Sequence, residues 1–143
     1  MNILIPMAGE GQRFKDEGYK TSKPAILTYD RKDGSQKPMV VLAALDLPGI
    51  DNPENQLIFV DRDFHKTDGV EAIISKNFPR AQFITVKHLT EGQACTCMLA
   101  KEIIDGDEEL LIAGCDNGMD FNDNKFQGLK AENDVIVFTY TNN

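Results

Sequence analysis

The stretch Met1–Leu27, MNILIPMAGEGQRFKDEGYKTSKPAIL, decides how this chain is read. Its opening apolar run, Asn2 to Pro6, predicts a short buried β-strand. The run leads directly into Met7-Ala8-Gly9-Glu10-Gly11-Gln12-Arg13-Phe14. Two glycines spaced one apart let the backbone turn tightly and bring its N–H groups close to an anion. Arg13 supplies a planar fork of donors suited to phosphate oxygens. Ten residues later Lys23-Pro24 places a mobile point charge beside a rigid residue. Strand, loop, arginine and lysine together predict a cradle for a nucleoside triphosphate.

Other readings of the same stretch make different demands. A plain tight turn needs the glycines alone, and these residues leave that reading open. A dinucleotide fold requires a third glycine, where Phe14 stands, and an acid about 20 residues further on. The nearest acid closing a second strand is Asp61, much too far along the chain. An ATPase-type loop requires Gly-Lys-Ser/Thr after the second glycine, where Gln12-Arg13-Phe14 stands instead.

The combination of Gly9-Glu10-Gly11-Gln12-Arg13-Phe14, Ser22-Lys23-Pro24 and Lys37-Pro38-Met39-Val40 resembles the sugar-phosphate nucleotidyltransferases, the nucleoside-diphosphate-sugar pyrophosphorylases. The resemblance recurs at Gly92-Gln93-Ala94 and Asp116-Asn117. It spans essentially the whole chain, but the chain corresponds only to the front part of a family member. The resemblance implies an α/β fold, a Rossmann-like three-layer sandwich with a mostly parallel sheet, here a truncated nucleotide-diphospho-sugar transferase fold. Residues 1–143 would be its nucleotide-binding portion, with the C-terminal sugar-binding portion and a second acidic metal ligand absent. Turnover by this chain alone is then expected to be small, unless a homo-oligomer completes the site.

Composition narrows the classes further. The 143 residues are 41% hydrophobic and 27% charged, as expected of a folded domain with a core. A net charge of −8 disfavours nucleic acid as a partner, since that needs a broad basic face. Positive charge is concentrated locally instead, at Arg13, Lys15, Lys20 and Lys23. No apolar run is long enough to span a bilayer, and the N-terminal run is too short for a signal peptide. Cys95, Cys97 and Cys115 cannot all pair within one chain, which points to a reducing, cytoplasmic setting. The Cys95/Cys97 spacing matches no common metal or redox motif, so both are expected to be small buried residues.

Strands are predicted at Gln56–Val60, Gln82–Val86, Glu109–Ala113 and Val135–Tyr140. Helices are predicted from Lys37-Pro38 until Leu47-Pro48-Gly49 ends the first, from Asp63 to Asn77 and from Gln93 to Ile104. Residues 15–36 read as a long flap over the phosphates, with a small hairpin at Asp33-Gly34. Phe14, Phe59, Phe64, Phe78, Phe83 and Phe138 are expected in the core, and His65 in a helix's first turn without a function. Strands alternating with helices argue for a parallel sheet.

Gly114-Cys115-Asp116-Asn117-Gly118-Met119-Asp120 follows a predicted strand. In open α/β sheets ligands bind just outside such strand ends. A carboxylate there suits Mg²⁺, which takes one or two carboxylates plus phosphate oxygens. The resemblance makes Asp116 that ligand, while a turn-capping Asp116 is the ordinary alternative. The resemblance also places the nucleobase and ribose at Thr90-Glu91-Gly92-Gln93-Ala94. Ordinary packing would need only Thr90 as a helix cap, with Ala94 and Ala100 facing inward. The upstream segment Val86-Lys87-His88-Leu89 lacks the glutamine of the thymidylyl type, leaving the base open, and His88 is expected to be an exposed loop residue.

The site expected from all this comprises Arg13 and Lys23 as catalytic residues and Ala8, Gly9, Gly11, Gly92 and Gln93 as nucleotide-binding residues. Asp116 would be the metal ligand, and NTP and a sugar-1-phosphate the substrates. A glycosyltransferase of the same fold usually carries an acid-x-acid motif, but Gly118 stands where the second acid would be. A non-catalytic nucleotide-binding domain is the other alternative.

Overall fold

In the computed structural model, which describes residues 1–139, six strands and seven α-helices follow the chain. In order these are β1 (Asn2–Pro6), α1 (Gln12–Asp16), β2 (Leu27–Tyr29), β3 (Gln36–Pro38), α2 (Met39–Leu45), β4 (Gln56–Arg62), α3 (Asp63–Thr67) and α4 (Val70–Asn77). Then come β5 (Gln82–Val86), α5 (Gln93–Met98), α6 (Lys101–Ile104), β6 (Leu110–Ile112) and α7 (Asp123–Glu132). A 3₁₀ turn at Lys23–Ala25 precedes β2.

Four strands form one parallel sheet in the order β5-β4-β1-β6. Alternation of side chains along each strand builds two cores. Ile3, Ile5, Leu57, Phe59 and Leu111 pack with Val40, Val41 and Ala44 of α2 and with Val70 and Ile74 of α4. On the opposite face Leu4, Ile58 and Val60 pack against Cys97 of α5 and Ala100. Both faces of β1 are therefore buried, which is why its sequence is a continuous apolar run rather than an alternating one. Helices cover both faces, giving the expected three-layer α/β architecture. Among the described residues no helix is long and apolar enough to cross a membrane.

The long connection before α2 is not structureless. It carries α1, the 3₁₀ turn and an antiparallel hairpin, β2 with β3, whose turn contains Asp33-Gly34. The predicted helix 63–77 is two helices, because Gly69 between them adopts φ 78°, a left-handed conformation that interrupts a right-handed helix. The predicted helix 93–104 is also two. Leu99 and Ala100 bond three residues back, to Thr96 and Cys97, tightening the chain into a 3₁₀-like turn there. The predicted strand at 135–140 is absent through residue 139, with Val135 and Val137 exposed, and Tyr140 lies outside the described residues. Phe138 is partly exposed and packs its ring on Phe121 and Phe126 instead of entering the main core. Phe14, Phe64 and Phe83 are likewise only half-buried, and Cys95 is exposed. Helix α7 was not expected; its local signal is Asn122, whose side-chain oxygen accepts from the Lys125 N–H at 2.9 Å.

Asp61 is fully buried on β4, opposite Thr85 of β5, and neither carboxyl oxygen has a hydrogen-bond partner. Burial raises its pKa from 3.8 to about 6, with the Thr85 hydroxyl opposing the shift and the negative charge of Glu71 adding to it. A carboxyl whose pKa is higher folded than unfolded stabilises the fold below its unfolded pKa, and that stability is lost as pH rises through about 6. Asp61→Asn is therefore expected to stabilise the protein at pH 8, by up to about 2 kcal/mol, with the gain vanishing near pH 4. Urea unfolding of both proteins across that range checks it. His65 acts oppositely, since burial lowers its pKa to about 4 and its contribution is lost as pH falls below 6.5. It is common to both proteins and cancels in the comparison.

Candidate active site

The order β5-β4-β1-β6 contains a reversal. From β1 the chain moves outward through β4 to β5, then returns to place β6 on the other side of β1. A crevice opens at such a switch point, outside the carboxyl ends of the two strands. The loop leaving β1 and the loop leaving β6 form its two walls.

These loops, with the segments around Lys23 and Gly92, enclose a cleft of about 440 Å³. All eight residues expected from the sequence line it: Ala8, Gly9, Gly11, Arg13, Lys23, Gly92, Gln93 and Asp116. Gly11 takes φ 62°, so the loop's shape requires glycine there, and a Cβ would stand 3.3 Å from the Cβ of Lys23. Lys23 crosses the cleft and its ammonium pairs with Asp116 Oδ2. The same ammonium lies 5.2 Å from the centre of the Phe14 ring, a cation–π contact. Phe14 therefore belongs to the wall of the cleft and orients the lysine. Its sequence signal was its place directly after Arg13, which the core reading overrode.

On the far wall, Thr90 does not cap α5 by accepting a backbone N–H. Its hydroxyl lies 2.6 Å from that of Thr96, and Thr96 Oγ1 donates to the Gly92 carbonyl at 3.1 Å. Buried Thr96, another lining residue absent from the expected set, thus holds the Thr90–Gly92 loop in place. Ala94 is exposed and Ala100 fully buried, so only the second packs inward; His88 is exposed. Cys115 also faces the cleft, but burial, with the neighbouring Asp116 charge adding, pushes its pKa up to about 11. The thiol stays protonated at neutral pH and offers no nucleophile.

Asp116 also borders a second cleft of about 350 Å³, walled by Tyr29, Arg31, Lys32 and Asp46. Asp46 is the tether here. It accepts from Arg31 Nη2 and Lys32 Nζ, each at 3.0 Å, and from the Met119 N–H at 3.1 Å. The hairpin tip is thereby tied to the loop that carries Asp116.

The fit of a cation can be judged from these donors. Among the described residues no group of three or more His, Cys, Asp or Glu side chains converges. Asp116 presents one carboxylate beside an ammonium, at an open cleft edge. A lone carboxylate holds Mg²⁺ poorly by itself but suits an ion that brings phosphate oxygens and water as its other ligands.

The fold is that of the nucleotide-diphospho-sugar transferases. A nucleoside-diphosphate-sugar pyrophosphorylase from Vibrio cholerae RC9 is similar over 87% of this chain, with a TM-score of 0.58 and 20% sequence identity. A UDP-glucose pyrophosphorylase solved with UDP-glucose is similar over 80% of the chain, with a TM-score of 0.53 and 16% identity. The matched regions are 52% and 45% of those two chains, so this chain spans about half their length. No protein-family model and no curated protein matches the sequence.

Proposed function

We propose that this chain carries the nucleotide-binding site of a sugar-1-phosphate nucleotidyltransferase, with NTP and a sugar-1-phosphate as substrates. The observation that carries the reading is the convergence of Arg13, Lys23 and Asp116 on one cleft at the switch point of the sheet. The pyrophosphorylases that share the fold lend it support at the level of architecture.

In the proposed reaction an oxygen of the sugar phosphate attacks the α-phosphorus of the NTP. The new P–O bond forms as the bond from the α-phosphorus to its bridging oxygen breaks, and pyrophosphate leaves with that electron pair. The attacking phosphate is already an anion at neutral pH, so no general base is needed. Phosphoryl chemistry of this kind asks for positioning and charge neutralisation. Gly9 and Gly11 let the loop's backbone approach the triphosphate, and Arg13 holds the departing phosphates. Lys23 exchanges its partner Asp116 for oxygens of the attacking and α-phosphates. Asp116 would hold Mg²⁺, which when bound draws charge from the phosphate oxygens as a Lewis acid and template. The base and ribose would rest against Gly92 and Gln93. A cytoplasmic location accords with three unpaired cysteines.

Pyrophosphate release with pooled NTPs, pooled sugar-1-phosphates and Mg²⁺ tests the reading. Release that requires a sugar-1-phosphate, slow with the dilute chain and faster where the chain self-associates, is the expected result. Sugar transfer from a supplied nucleotide sugar would make it a glycosyltransferase. Nucleotide binding with no turnover in either assay, including with the chain concentrated enough to self-associate, would favour a binding domain.

A further inference from the structure

Glu10 is an unexpected residue between the two glycines of a loop read as a phosphate cradle. A free carboxylate there would repel a triphosphate. In the structure Glu10 does not line the main cleft; it borders a separate hollow on the other side of the loop, beside Phe64 and His65. The group that stands behind it is Arg62, the last residue of β4. The Arg62 side chain is 10% exposed, and its Nη1 lies 4.0 Å from Glu10 Oε1. Nε and Nη1 have no hydrogen-bond partner, and the guanidinium lies 5.3 Å from the centre of the Phe64 ring. A buried, incompletely paired guanidinium is costly to the fold, so its presence calls for an explanation outside packing.

We propose that Arg62 is a positioning residue that draws the Glu10 carboxylate to the back of the glycine loop and keeps the phosphate face free of negative charge. Arg62 is the buried partner and the Glu10 side chain is 43% exposed, so the attraction is screened from one side only and exceeds that between two exposed charges. Backbone geometry supports the arrangement. The Arg62 N–H donates to His65 Nδ1 at 3.2 Å, fixing the end of β4 against α3. His65 is buried and its pKa is lowered to about 4, first by burial, so it stays neutral and does not compete for Glu10. Lys15 of α1 borders the same hollow, its ammonium 5.3 Å from the centre of the Phe64 ring. It is exposed and screened, and so weaker in hold.

The inference rests on the nucleotide reading of the cleft and makes a prediction of sign that a packing role does not. Arg62→Met releases Glu10 toward the phosphates, and NTP affinity by calorimetry falls about tenfold, in keeping with the cost of juxtaposed like charges. Glu10→Gln alone binds NTP as the wild type does. Glu10→Gln combined with Arg62→Met restores affinity to within about threefold of wild type, because the repelling charge is gone. Affinity unchanged in Arg62→Met, or a double variant as weak as Arg62→Met, would overturn the proposal. If Arg62→Met does not fold, Arg62→Gln replaces it in the same cycle. A crystal structure of the Arg62 variant without nucleotide tests the step separately from the nucleotide reading. There the Glu10 carboxylate is expected on the phosphate side of the loop, and a carboxylate still beside position 62 contradicts the inference even if no NTP binds.

Discussion

Arg13→Ala is expected to weaken NTP binding by about 10- to 100-fold, the loss of roughly 1.5–3 kcal/mol typical of a hydrogen bond to a charged group. Arg13 is exposed on the short helix α1, which buries no residue, so the fold has little to lose. The melting temperature should move by no more than a degree or two. Arg13→Lys should recover only part of the affinity, because an ammonium cannot make the paired contacts of a guanidinium. Calorimetry alongside thermal unfolding separates binding from stability. An Arg13→Ala protein that binds NTP normally would remove the arginine from the site.

Asp116→Asn should abolish the dependence of nucleotide binding on Mg²⁺ while leaving the fold intact. Asp116 is partly exposed and paired with Lys23, and such pairs contribute little to stability. The isosteric amide keeps the shape of the loop but removes the charge that both the cation and Lys23 need. Without Mg²⁺ the variant should bind NTP at least as well as wild type, because Lys23 is released to the phosphates. With Mg²⁺ the wild type should gain and the variant should not. Titrations of both proteins with NTP, with and without Mg²⁺, check the pattern. An equal gain in both would place the metal elsewhere.

Much of this arrangement was legible in the sequence because its parts are local. The apolar run of β1, followed at once by Gly9-Glu10-Gly11, fixes a strand and the turn at its carboxyl end. Asp116 likewise follows a strand directly. Two loops at the carboxyl ends of parallel strands open on one edge of the sheet, and the adjacency of β1 and β6, which the sequence does not state, brings their residues together. The interruptions of the helices were less legible. Gly69 lies inside an acceptable helical pattern, and only its left-handed φ ends α3 and starts α4 apart. Helix α7 has one buried residue, Phe126, and is marked by its cap instead of by an apolar face. Val135 to Phe138 has the composition of a strand, but composition does not supply a neighbouring strand to pair with.

Contacts made across the fold were the least legible. Asp46 tethers the hairpin tip to the Asp116 loop through side chains 14 and 15 residues away and a backbone N–H 73 residues away. Arg62 and Glu10 come together only because β1 and β4 are parallel neighbours. Phe14 reads as a core aromatic until Lys23 is seen above its ring.

The most direct test of the nucleotide cleft is a crystal structure of the protein soaked with each of the four NTPs and Mg²⁺. The expected result is a triphosphate lying between the Gly9–Arg13 loop and Asp116, with Lys23 turned from Asp116 onto the phosphates and the base against Gly92 and Gln93. A nucleotide bound outside this cleft, or a triphosphate with Lys23 and Asp116 still paired and untouched, would contradict the account.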